Sequence, residues 1–228
     1  MCGRFSITGD LDFYAEYFGV DDVLAERLEP NWNVAPTDPV YVIAERRDGV
    51  RSLGSMPWGL VPHWAKDARS IHINARSETV ATTSAFRESF SRRRCLIPAD
   101  GFYEWEPKEL GRTPHWVYRA DGHPMAFAGI WASRRDPETD IWNRTCSIIT
   151  TGAEGAVSAL HDRMPVSLVP SVWDAWLDRE LRDPDVVAGL LQPIDPEIIM
   201  EHPVSSRVNS VKNNGPELRE KPEPNTLF

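Results

Sequence analysis

The sequence predicts an α+β fold, a single domain of curved, barrel-like antiparallel β-sheets flanked by helices. Three observations predict it. Apolar alternation fills the middle of the chain, helical periodicity flanks it, and the regular strand–helix–strand repetition of a doubly wound sheet is missing. A length of 228 residues suits one large domain, expected over residues 2–215, with a polar, flexible tail over 216–228.

In chain order, MCGRFSITGD turns polar too soon for a secretory leader, and LDFYAEYFGV has helical spacing. PVYVIAERRDGVRSLGSMPWGL reads as two strands around an RDG turn. SIHINARSETV passes from a short strand into a loop, TSAFRESF is a second helix, and CLIPADGFYEWEP is an aromatic-rich strand. HWVYRADGHPMAFAGIWAS repeats the two-strand pattern around ADGH, and TCSIITTGA is a β-branched strand. SVWDAWLDREL is the clearest helix: Ser171 stands at an N-cap, and Val172, Trp173, Trp176 and Leu177 share one face, which puts both tryptophans in the core. The final stretch, NNGPELREKPEPNTLF, is polar and proline-rich and is expected to fray.

Composition narrows the function. The formal net charge of −9 argues against a protein that coats nucleic acid through its overall field. The charge is uneven, since Val61–Cys95 carries seven Lys or Arg (Lys66, Arg69, Arg76, Arg87, Arg92, Arg93, Arg94) against three acids. Such a stretch is either a solvated face or one wall of an anion-binding groove. Three cysteines without metal-ligand spacing suggest neither a disulfide framework nor a zinc site. No phosphate loop, GxSxG elbow, HExxH pair or metal-ligand cluster appears, so no cofactor and no metal are expected. No stretch spans a bilayer, and a reducing cytoplasmic setting is the default.

Four places hold chemistry. Cys2 directly follows the initiator methionine, and its small side chain permits methionine removal. The trimmed chain would present an α-amine and a thiol on adjacent carbons, a 1,2-aminothiol. An α-amine has an ordinary pKa of about 7.7–8.0, so part of it is neutral at cellular pH, unlike lysine at about 10.4. Asn74 and Arg76 end the alternation in SIHINARSETV; a turn asparagine beside a surface arginine is the plainer reading. Glu104 lies between Tyr103 and Trp105, where desolvation would raise its pKa, unless the strand is an edge and the carboxylate meets water. His161, in ALHDRMPVSL, closes a short apolar helix, with Arg163 before a Met-Pro turn, and imidazole suits proton transfer near neutral pH.

At these residues the chain resembles the SOS-response-associated peptidase (SRAP) domain family, whose members shield abasic sites in single-stranded DNA. MCGRF, NVAPT, WGLVPHWA, INARSET, CLIPADGFYEW, FAGIWA, SIITTGA and LHDRMP stand in family order. NVAPTD carries aspartate where glutamine is frequent in the family. The resemblance implies that Cys2 is the nucleophile that joins the ring-opened abasic aldehyde as a thiazolidine, supported by Asn74, Glu104 and His161. It also implies that Arg4, Trp64, Arg76, Thr150 and Arg163 lie along the DNA. The implied partner is abasic single-stranded DNA, including single-strand/double-strand junctions. The implied setting is cytoplasmic and nucleoid-associated, with a monomer sufficing and no membrane involved.

Other readings remain open at this level. Cys2 could serve an N-terminal-nucleophile peptidase acting on itself or on peptides, and lyase activity could accompany crosslinking. Trp64 and the arginines could form a non-covalent single-strand platform. A redox thiol switch is disfavoured, because no resolving cysteine lies nearby in sequence.

Overall fold

The computed structural model describes residues 2–65, 67, 70–108, 111–136 and 138–222. Phe5–Ile7 (β1) leads into Leu11–Tyr17 (α1), whose Asp10 cap accepts from Phe13 N at 2.8 Å. Asp22–Val23 (β2), Asn31–Val34 (β3), Pro39–Glu45 (β4), Arg51–Pro57 (β5) and Asn74–Arg76 (β6) precede Arg87–Arg92 (α2). The strand-rich middle comprises Arg94–Ala99 (β7), Gly101–Lys108 (β8), Gly111–Arg119 (β9), Met125–Arg135 (β10) and Trp142–Gly152 (β11). Arg163–Pro165 (β12), Trp173–Leu177 (α3), Pro184–Gly189 (α4) and Ile199–Pro203 (β13) follow.

The strands make two sheets. One runs β13-β9-β8-β1-β3; the other runs β12-β11-β10-β7-β4-β5-β2, with β6 alongside β11. The β2–β5 and β6–β11 pairs are parallel, and the other ladders are antiparallel. An isolated bridge between Trp58 and Cys146 brings the end of β5 back to β11, so the larger sheet curls without a ladder that closes it. Phe127 on β10 meets Phe5 and Phe102 of the smaller sheet edge-on at 5.8 and 6.2 Å. The two sheets therefore share one apolar core, in which each fully buried ring contributes about 1.5–3 kcal/mol.

Asp100, at the corner between β7 and β8, fixes the start of the chain. Its carboxylate accepts from Ser6 Oγ (3.0 Å), Thr8 Oγ1 (2.7 Å), Tyr14 Oη (3.1 Å) and Arg219 Nη1 (3.0 Å). Next to it Gly101 has no room for a side chain, because a Cβ would stand 2.3 Å from the Val117 carbonyl oxygen. β1 thus lies tightly against β8, with Phe5 opposite Phe102 and Tyr103 N donating to Arg4 O at 2.9 Å. This register carries Cys2 toward the Glu104 stretch of β8.

The structure departs from the sequence expectations at four points. The strands on either side of ADGH do not form a hairpin, since β9 pairs with β8 and β13 while β10 pairs with β7 and β11. Ser171 is not an N-cap: it lies inside a 3-10 turn, Pro170–Val172, and α3 starts after it without a side-chain cap. The tryptophans it introduces are buried as expected. The second helix starts at Arg87, after turns over residues 77–82 and 84–86. Part of the tail is packed, for Pro216–Arg219 is a 3-10 turn whose Leu218 is buried with Tyr103, Trp116, Val204 and Val208 in a second apolar cluster. Residues 223–228, Met1, and Lys66 and Arg69 of the basic stretch lie outside the described residues. Among the described residues no helix is long and apolar enough to cross a membrane.

Candidate active site

Cys2 is fully buried, and its carbonyl accepts a 2.8 Å hydrogen bond from Asn74 Nδ2. Asn74 is held by its strand. β6 runs parallel to β11 with Asn74 opposite Ile148, and Trp58 Nε1 donates to the preceding carbonyl, Ile73 O, at 2.8 Å. The amide's Oδ1 is buried with no hydrogen-bond partner among the described residues. Burial first, and then the charge of Glu104, push the Cys2 thiol far above the ordinary range, so sulfur rests here as S–H.

Glu104 is 2% exposed. β8 is an interior strand between β9 and β1, so the edge-strand alternative is wrong. Its aromatic neighbours point away from it: Tyr103 Oη donates to Trp32 O at 2.8 Å, and Trp105 Nε1 donates to Asn209 Oδ1 at 2.8 Å. Desolvation therefore comes from the interior of the fold, and it raises the Glu104 pKa, with the charge of His161 pulling the other way. His161 follows a 3-10 turn, Gly155–Ala159. Its Nδ1 accepts from the Arg163 backbone N–H at 2.9 Å, which leaves the proton of the neutral ring on Nε2. The Asp162 carboxylate, 2.7 Å from the same nitrogen, is 85% exposed and is a weak competitor for it. A thiol, a desolvated carboxyl, an imidazole and a donor amide thus converge at the start of the chain. That set can move protons around a carbonyl carbon.

The remaining predicted residues divide. Trp64 is exposed, with Nε1 donating to Ser84 O at 3.4 Å, and Arg76 is exposed on the strand that bears Asn74. Thr150 is fully buried opposite Pro165, and its carbonyl accepts from Arg163 Nη2 at 2.6 Å. Arg163 also makes a two-pronged contact with Glu78, at 2.5 and 3.0 Å, a partner that local sequence reading missed. That contact holds the Glu78 carboxyl down at about 2. Arg4 is committed to the fold: Nη1 donates to Asn33 Oδ1 at 2.7 Å and Val208 O at 2.9 Å, and Nη2 to Asn209 O at 3.4 Å. Within the basic run, Arg94 is an internal staple, donating to the carbonyls of Phe90, Ser91, Trp176 and Leu181.

A family model, SOS response associated peptidase (SRAP), matches residues 1–211. The chain belongs to the SRAP family. Among its relatives, the abasic site processing protein YoqW of Bacillus subtilis is 40% identical over 226 residues, covering 96% of this chain and 99% of that protein. The abasic site processing protein YedK of Escherichia coli is 31% identical, covering 96% and 98% of the two chains. The fold recurs in a crystal structure of a Bacteroides thetaiotaomicron protein, 23% identical, with a TM-score of 0.85 over 97% of this chain and 100% of that one. Membership in the SRAP family agrees with the motif order read from the sequence, and the Cys2 cluster is built from those same motif blocks.

Proposed function

We propose that this protein recognises abasic sites in single-stranded DNA and, once Met1 is removed, captures them through Cys2 as a covalent thiazolidine. The observation that carries the reading is the convergence on residue 2 of the Asn74 hydrogen bond and the buried Glu104 carboxyl. Two SRAP relatives that carry abasic site processing in their names support the lesion class.

The α-amine adds to C1′ of the ring-opened sugar, giving a carbinolamine. Loss of water forms an imine, and the Cys2 thiol adds to the imine carbon while its proton passes to nitrogen. One water is released overall. A carboxyl with a raised pKa shuttles protons well near neutrality, so Glu104 takes the amine proton and returns it to the departing hydroxyl. His161 assists opening of the sugar ring, and Asn74 fixes residue 2 through its carbonyl. The ring closure is intramolecular, which gives the sulfur a very high effective concentration and makes the product outlast a simple imine. Arg76 and Trp64 lie along the bound strand. The reaction consumes one chain per lesion and requires no cofactor.

The test is intact-mass analysis before and after incubation with an abasic single-stranded oligonucleotide. The expected product is a heat-stable adduct equal to the trimmed protein plus the oligonucleotide minus one water. Cys2→Ser should give no heat-stable adduct, only an imine trapped by borohydride. Peptide turnover without any adduct would favour the peptidase reading and refute this one.

A further inference from the structure

A second concave site lies on the same curled sheet, four to six residues farther along β10 than Phe127. It is a cavity of about 570 Å³ that shares no lining residue with the Cys2 cluster. Its floor has open space, since a Cβ added at Gly54 would meet no atom within 4 Å. Ser52 on that floor is 5% exposed, and its Oγ has no hydrogen-bond partner among the described residues. Trp131 forms a wall, with the guanidinium carbons of Arg93 and Arg144 each 5.8 Å from its ring centre.

The charge here runs against that of the whole protein. Six arginines and two glutamates line the cavity of a chain with net charge −9. Arg93 Nη2 pairs with Glu88 at 3.0 Å, but its Nη1 is buried without a hydrogen-bond acceptor among the described residues. Arg92 and Arg144 are exposed and have no carboxylate partner among the described residues. The Arg179 pKa is lowered, first by burial and then by the charges of Arg47 and Arg93, so these cations lie close enough to repel. Buried donors without acceptors and converging like charges are costly, and an anion relieves both. Arginine, a rigid fork of donors, is the side chain suited to phosphate oxygens. The apolar floor and the volume suit a ligand of nucleotide size.

We propose that this cavity is a separate anion site that takes the phosphate of a nucleotide unit, with Arg92, Arg93 and Arg144 on its oxygens. The phosphate belongs either to a free nucleotide or to a nucleic-acid strand. Calorimetric titration of the full chain with thymidine monophosphate and with an undamaged oligothymidylate separates the two sources. Arg92→Gln and Arg144→Gln replace exposed side chains, so the doubly substituted protein should keep its melting temperature. Saturable monophosphate binding, weakened at least tenfold in that variant, identifies a nucleotide site. Weakened oligothymidylate binding without monophosphate binding identifies the strand as the source. Crosslinking at saturating abasic DNA should stay within twofold of the wild-type rate. Absence of saturable binding to both ligands, or binding unchanged by the two substitutions, overturns the proposal. Loss of crosslinking in the folded variant overturns its separateness from the Cys2 site, and the proposal stands or falls independently of the thiazolidine chemistry.

Discussion

Replacing Asn74 with alanine removes the amide that donates to the Cys2 carbonyl at 2.8 Å. Cys2 is fully buried, so the orphaned carbonyl cannot turn to water, and the loss costs about 1–3 kcal/mol. The same substitution deletes Asn74 Oδ1, a buried acceptor with no hydrogen-bond partner among the described residues. Removing that group returns a similar amount, again about 1–3 kcal/mol. The two effects oppose each other, so the net change in stability should stay within about 1 kcal/mol, or about 2–4 °C in melting temperature for a chain of this size. Positioning has no such compensation. A nucleophile freed to shift by about 1 Å can lose about 10²-fold in rate. The expected result is therefore a split, with melting nearly unchanged and single-turnover crosslinking to abasic single-stranded DNA about 10²-fold slower. Asn74→Asp should fare worse in both measurements, because it sets an acceptor against the Cys2 carbonyl. Crosslinking by Asn74→Ala at the wild-type rate would refute the positioning role. A large fall in melting temperature would show that Asn74 acts through the fold.

The same structure fixes three further outcomes. The Glu104 pKa is raised on folding, so its contribution to stability is present below the ordinary carboxylate range and lost as pH rises through the folded value. Glu104→Gln should therefore melt above wild type at neutral pH, converge with it in acid and crosslink poorly; a gap that persists in acid would contradict this. On the proposal that Arg163 meets the strand, Glu78 competes with phosphate for it, so Glu78→Gln should tighten binding of undamaged single strands and steepen the salt dependence by about 0.7 in log–log slope. An unchanged slope would leave Arg163 a structural group. Arg4→Gln should lower the melting temperature by several degrees and leave that slope alone, because its guanidinium holds Asn33, Val208 and Asn209. A shallower slope would return Arg4 to the DNA face.

What is legible in the sequence is chemistry that clashes with its local surroundings. Glu104 among aromatics and Cys2 behind methionine stand out in a window of a few residues, and the fold buries both. Arg4 shows what such a reading lacks, because one acceptor of its guanidinium, the Val208 carbonyl, lies 204 positions away. ADGH misleads for a related reason: a turn specifies a reversal of the chain, whereas the partners of each flanking strand depend on which sheet buries it. The tail reads as free because its composition is polar, yet one leucine and one arginine suffice to anchor its start, Leu218 in the second cluster and Arg219 on Asp100. Charge shows the same limit most clearly. The run Arg92–Arg93–Arg94 reads as one basic patch, but the fold turns Arg94 inward to cap carbonyls and leaves Arg92 and Arg93 facing a cavity. The other cations of that cavity come from the β4–β5 turn, from β11 and from beyond α3. An electropositive pocket on an acidic protein is thus a property of strand order, assembled from segments whose separate charge counts give no sign of it.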